Sequence, residues 1–210
     1  MMVACDNPEE DTKVTVTDID GNVYKTIQIG DQLWMAKNLK VTKYQDGSDI
    51  PHLRDDEDWT GTTFGAYSIN KDNSSNELDI YGLFYNGYAA TDSPSIAPTG
   101  WHIPTDDEWQ VLVDYLGVDA GGKMKEVGTT HWLEPNTGAT NESGFTALAG
   151  GYRNDFNGNT YFTGNYVHYW SKTVHDHNGG WSRVLFNQTS DVDRKYLGLN
   201  HGFYIRCLKD

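Results

Sequence analysis

Residues 98–109 read PTGWHIPTDDEW. One histidine (His102) and three carboxylates (Asp106, Asp107, Glu108) sit between two tryptophans. Imidazole and carboxylates this close together are what a metal site or a general acid–base pair requires. The spacing points elsewhere. Thr105 followed three residues on by Glu108 is a T-x-x-E capping box, in which the Thr105 hydroxyl accepts from the Glu108 amide and the Glu108 carboxylate reaches back to the Thr105 amide. The three acids fill a first helical turn, where negative charge meets the positive end of the helix dipole. Trp109, Leu112, Val113 and Leu116 then recur at i, i+3, i+4 and i+7, one apolar helix face, and Gly117 ends it. The stretch therefore predicts a helix over Thr105–Leu116, with Trp101 and His102 locking the preceding loop onto it.

Upstream, VTVTDI and VYKTIQI alternate as strands around a DGN turn, and GDQLW adds a second turn and a short strand. Asp18-x-Asp20-Gly-Asn22 resembles part of a calcium loop, but its glycine stands at position four and no glutamate follows at twelve, so a plain turn is expected. Residues 45–79 show neither helix nor strand period and read as a long surface excursion, with Asp55–Asp58 a solvated acidic face. YGLFYNGYAA (81–90) suits a short helix through YNGYAA, and GKMKEV (122–127) a second. From Gly144 onward, strand-like runs (TYFTG, HYWSKTV, WSRVLFN, RKYLG, FYIRCL) alternate with Asn-Gly turns, as in a meandering antiparallel sheet.

The 210-residue chain carries a net charge of −14, which disfavours nucleic acid as a partner. Few aliphatic residues with many aromatics and glycines point to a loop-rich α+β domain. Residues 1–13 read as a tether and residues 14–210 as one domain. The two cysteines, Cys5 and Cys207, make neither a disulfide scaffold nor a cysteine-based zinc site. MMVAC followed by DNPEEDTK resembles the end of a bacterial lipoprotein signal with Cys5 lipidated, although these residues lack the charged start and apolar core of a full signal.

VYKTIQIGDQLWMAKNL, YGLFYNG, PTGWHIPTDDEWQVL, GFTALAGGYR, YWSKT, WSRVL and GFYIRCLKD, in this order, resemble the Fibrobacter succinogenes major paralogous domain, an extracytoplasmic bacterial family. The resemblance implies a C-type lectin-like fold related to formylglycine-generating enzymes: small antiparallel sheets, two flanking helices and long loops. Together with the reading of Cys5 as a lipidated residue, an extracytoplasmic family leads to the expectation of a lipid-anchored protein of the outer membrane or cell surface. Members often carry a cysteine before P-x-G-W-H as a plausible partner for the one in the last strand. Here that position is Ala97, which leaves Cys207 free and buried.

Formylglycine-generating enzymes use a cysteine pair near the C-terminus, and this chain offers Cys207 alone there, so that chemistry and its cofactor are not expected. His175-Asp176-His177 could share an ion if extended, but HDHNGG reads as a turn, and no metal is assigned. The C-terminal third interleaves aromatics with asparagines, a composition suited to recognition. Trp170, Trp181 and Phe203 are expected in the core. Tyr161, Asn165, Tyr166, His168, His175, His177, Asn187, Tyr196 and His201 are expected in turns, where they would contact a glycan or a surface protein. Two alternatives stand beside this non-enzymatic binding role: a retroelement-diversified receptor of the same fold, or a divergent enzyme of the sulfatase-modifying-factor type.

Overall fold

A computed structural model describes residues 14–70, 77–176 and 179–210, and among these the chain forms twelve strands and five helices. Strands β1 (Thr15–Thr17), β2 (Val23–Ile29) and β3 (Gln32–Met35) form the expected meander. The DGN turn is closed by Asp18, whose Oδ1 accepts from the amides of Asp20 at 3.0 Å and Asn22 at 2.9 Å. The Tyr24 hydroxyl donates to Asp18 Oδ2 at 2.6 Å, so this carboxylate is committed to an Asx turn.

The segment 45–79 is a correction. It holds helix α1 (Asp56–Thr60), strand β4 (Tyr67–Ser68) and the start of helix α2 (Glu77–Tyr81), and it buries Ile50, Trp59 and Ala66. Elements this short carry no readable period, and burial here comes from tertiary contacts: the guanidinium of Arg153 lies 4.5 Å from the Trp59 ring centroid. Asp56, Glu57 and Asp58 form the first turn of α1, and Arg153 pairs with Asp56 at 3.0 Å. Strand β5 (Phe84–Tyr85) leads into helix α3 (Gly87–Thr91), capped by the Asn86 side chain accepting from Ala89 N.

Strand β6 (Trp101–His102) precedes the predicted helix, α4 (Asp106–Leu116). Both capping-box bonds are present: Glu108 N to Thr105 Oγ1 at 3.2 Å and Thr105 N to Glu108 Oε2 at 2.8 Å. Trp109, Leu112 and Leu116 are buried, the first two completely. Burial of each such side chain stabilises the fold by roughly 1.5–3 kcal/mol. Helix α5 spans Ala120–Met124, two residues earlier than the sequence suggests. Gly121 and Gly122 press flat against the backbone at Asp191 and Gly138, a close approach that holds these weak helix formers in place.

Three paired strands follow β7 (Tyr152–Arg153) and β8 (Thr160–Tyr161): β9 (Tyr166–Asp176), β10 (Gly179–Phe186) and β11 (Asp193–Gly198), an antiparallel meander in the order β11-β10-β9. Strand β12 (Leu208–Lys209) inserts between β3 and β6, completing the sheet β1-β2-β3-β12-β6. The expected strand FYIRCL enters a regular ladder only at its end. Residues 203–207 instead run through the interior, bonded across single bridges such as Tyr85–Phe203 and Tyr169–Tyr204. Their side chains alternate between two cores. Phe203, Ile205 and Cys207 face a core with Met35, Leu39 and Trp170, while Tyr204 and Leu208 face one with Trp34, Trp109, Phe145 and Tyr169. The fold is thus mixed α and β, built on small antiparallel sheets.

Candidate functional site

The pairing register of β9–β11 decides which side chains meet. His168 lies opposite Val184, Tyr166 opposite Phe186, and Ser182 opposite Lys195. Alternation therefore puts Tyr166, His168, Val184, Phe186, Lys195 and Leu197 on one face. With Tyr152 from β7 and His201 and Phe203 from the segment before β12, they line a cleft of about 230 Å³. Outside that lining, Phe162 stacks on two of its rings, Tyr152 at 6.1 Å and 22° and Tyr166 at 4.6 Å and 27°. Phe162 is 47% exposed and adopts φ +61°, a left-handed conformation that a bulky residue rarely takes. Positions held this way cluster at functional sites.

Two histidines sit deeper. His168 is 7% exposed and stacks on Phe203 at 4.5 Å and 17°. Its Nδ1 is buried with no hydrogen-bond partner among the described residues. Burial pushes this imidazole down to about 3, reinforced by His201 and Lys195, so it is neutral at ordinary pH. His201 donates from Nδ1 to the Gly198 carbonyl at 3.2 Å, and its Nε2 lies 3.3 Å from Asp155 Oδ1. Burial lowers its pKa, against the opposing pull of Asp155 and that carbonyl.

The nine expected contact residues divide. Tyr166, His168 and His201 line the cleft, and Tyr161 stands beside it, its ring 6.3 Å from Tyr152 and 6.1 Å from Phe162. Asn165 lies in the turn behind the wall, its amide donating to the Phe162 carbonyl. The expectation of turns is corrected for Tyr161, Tyr166, His168, His175 and Tyr196, which lie in strands β8, β9 and β11. His168 and Asn187 are buried: the first packs under rings, and the second donates its side-chain amide to the carbonyls of Leu133 and Glu134. His175 and Tyr196 gather with Trp181 at one end of the sheet, on its opposite face, so Trp181 is only partly buried rather than core. His177 lies outside the described residues, as do Cys5 and the tether. Sequence reasoning missed Tyr152, Phe162, Phe186 and Lys195 as site residues. The period-two alternation of RKYLG could have placed Lys195 with Leu197, but nothing in the sequence reveals the pairing register.

The opposite face of the sheet is structural. Asp106 pairs with Arg183 at 2.9 Å and Arg194 at 2.8 Å, tying the start of α4 to β10 and β11. The Arg194 guanidinium lies 3.3 Å from the Trp181 ring centroid. His102 bridges Glu108 at 3.0 Å and Asp210 at 2.7 Å, joining β6, α4 and the C-terminus. Behind the cleft, the fully buried Lys125 ammonium donates to the carbonyls of Thr137, Phe186 and Thr189 at 2.8, 2.9 and 2.8 Å. Burial pushes its pKa down to about 8.

Cys207 is free and buried, and burial drives its thiol pKa well up, which disfavours thiolate chemistry there. Among the described residues, no cluster of three His, Cys, Asp or Glu is placed to hold a metal, and no helix is long and apolar enough to cross a membrane. No curated protein and no solved structure matches the chain. A family model described as the Fibrobacter succinogenes major domain matches residues 27–209, a span that takes in the capped helix, the aromatic cleft and the buried segment before β12. The chain belongs to the Fibrobacter succinogenes major domain family.

Proposed function

We propose that residues 14–210 form a lectin-like, non-enzymatic binding domain whose aromatic cleft takes a glycan. The observation that carries this reading is a cleft lined by Tyr152, Tyr166, Phe186 and Phe203 with His168, Lys195 and His201 among them, its two tyrosines braced by Phe162. Aromatic faces stack on the apolar faces of sugar rings, and their few torsions keep the entropy cost of binding low. The small antiparallel sheets and the placement of β12 beside β3 support a C-type lectin-like architecture; of the two flanking helices it implies, α4 is the one longer than five residues among the described residues. Lipidation at Cys5 would hold the domain at the outer membrane or cell surface, with the acidic residues 6–13 as a spacer.

The test is a glycan array probed with the purified domain, followed by titration of the hits against Phe162→Ala. Binding that the substitution weakens supports the cleft. An array with no hits, alongside a surface protein captured through the same face, would replace the glycan by a protein ligand. For the anchor, mass spectrometry of the N-terminal peptide from native membranes should show a lipid on Cys5, and an unmodified thiol there removes that part of the reading.

A further inference from the structure

Among the described residues, His168 spends none of its side-chain hydrogen-bonding capacity. Among the described residues its side chain makes no hydrogen bond, its Nδ1 is buried and orphaned, and the residue is 7% exposed in the lining of the cleft. A neutral imidazole has one N–H donor and one acceptor nitrogen. Leaving a buried polar atom unpaired costs about 1–3 kcal/mol. A phenylalanine would stack on Phe203 as well as His168 does, without that cost.

We infer that His168 is the polar reader of the cleft, hydrogen-bonding a hydroxyl of a single uncharged sugar ring seated against Tyr152 and Tyr166. This rests on the reading of the cleft as a glycan site and adds the size and chemistry of what enters. A volume of about 230 Å³ falls below the roughly 300–1,000 Å³ of pockets for larger ligands, so one ring fits rather than a chain. Nδ1 is sealed from the cleft, so the ligand hydroxyl meets Nε2, and because a hydroxyl both donates and accepts it can pair with Nε2 in either tautomer. The one cation of the lining, Lys195, is already paired with Asp193 at 2.9 Å, which favours an uncharged ring over an acidic one.

The probes are methyl glycosides of glucose, galactose, mannose and N-acetylglucosamine, titrated by NMR into wild type, His168→Phe and Phe162→Ala. At least one should bind wild type. His168→Phe should weaken it tenfold or more with an unchanged or higher melting temperature, and the nitrogen shifts of the wild-type His168 ring should move on titration. Binding that His168→Phe keeps and Phe162→Ala loses overturns the role of His168 while sparing the cleft. Binding indifferent to both variants, or absent from wild type, overturns both. If His168→Phe does not fold, the ring shifts decide alone: unmoved nitrogens at saturating glycoside overturn the inference.

Discussion

Asp106 and Arg194 meet at 2.8 Å across 88 residues of chain, and the same carboxylate holds the buried Arg183 at 2.9 Å. Asp106 is 7% exposed, whereas its neighbour Asp107 is exposed. Removing one partner of a buried pair leaves an uncompensated charge, a loss of about 3–5 kcal/mol. Asp106→Ala should therefore lower unfolding free energy by that order in urea titrations. Asp107→Ala gives up a helix-dipole contact and a weaker attraction to Arg183 and should cost less than about 1 kcal/mol. Equal effects would mean that the Asp106 pairs contribute no more than its place in the first turn.

The capping box should show in both mutation and pH. Thr105→Ala is expected to cost about 1 kcal/mol. The Glu108 carboxyl feels burial, which raises its pKa, but the Thr105 amide and hydroxyl and His102 outweigh it and hold it below the usual carboxylate range. A carboxyl lowered in the folded state stabilises fully above its unfolded pKa, and that contribution is lost as pH falls through the folded value. Glu108→Gln should flatten the acid limb of the stability profile, measured by thermal melting between neutral and acidic pH.

His168 gives a second pH signature. Its folded pKa of about 3 lies far below the unfolded value of about 6.5. Between those values the unfolded chain binds a proton that the folded protein refuses, so stability falls as the solution is acidified. His168→Phe removes this term and should be less sensitive to acid than wild type across that window. Parallel profiles would mean that His168 titrates normally in the fold.

Phe162 should trade stability against recognition. A non-glycine residue in the left-handed region costs on the order of 1–2 kcal/mol. Asparagine tolerates that conformation, so Phe162→Asn should leave the melting temperature unchanged or raised. Affinity for the glycan proposed for the cleft should fall, because the ring that braces Tyr152 and Tyr166 is gone. A clear drop in melting temperature would show that stacking on Tyr152 and Tyr166 outweighs the backbone strain.

Much of this was legible in the sequence where the signal was local. Thr105 and Glu108 announced their helix because a capping box spans four residues, and the DGN hairpin likewise. The cleft was legible only in its composition. Tyr166, His168 and Lys195 meet through the register of three strands, which is irregular between Gly179 and Ser182, Tyr152 and His201 join them from β7 and the segment before β12, and no local pattern encodes that arrangement. Polarity misled for Asn187 and His168, because a polar side chain marks the surface only on average. Asn187 finds its carbonyl partners inside, and His168 is held inside without any.

The carbonyls of Thr137, Phe186 and Thr189 converge on one positive charge, the geometry by which proteins often pin loops around an ion. Here the charge arrives on a covalent stem. Lys125→Met should cost about 3 kcal/mol or more by stranding three acceptors, and Lys125→Ala should recover part of its melting temperature in butylammonium. A free ion is lost by dilution or to a competing chelator. A tethered ammonium keeps a fixed effective concentration. The wall that carries Phe186 is therefore held independently of the ions in the medium.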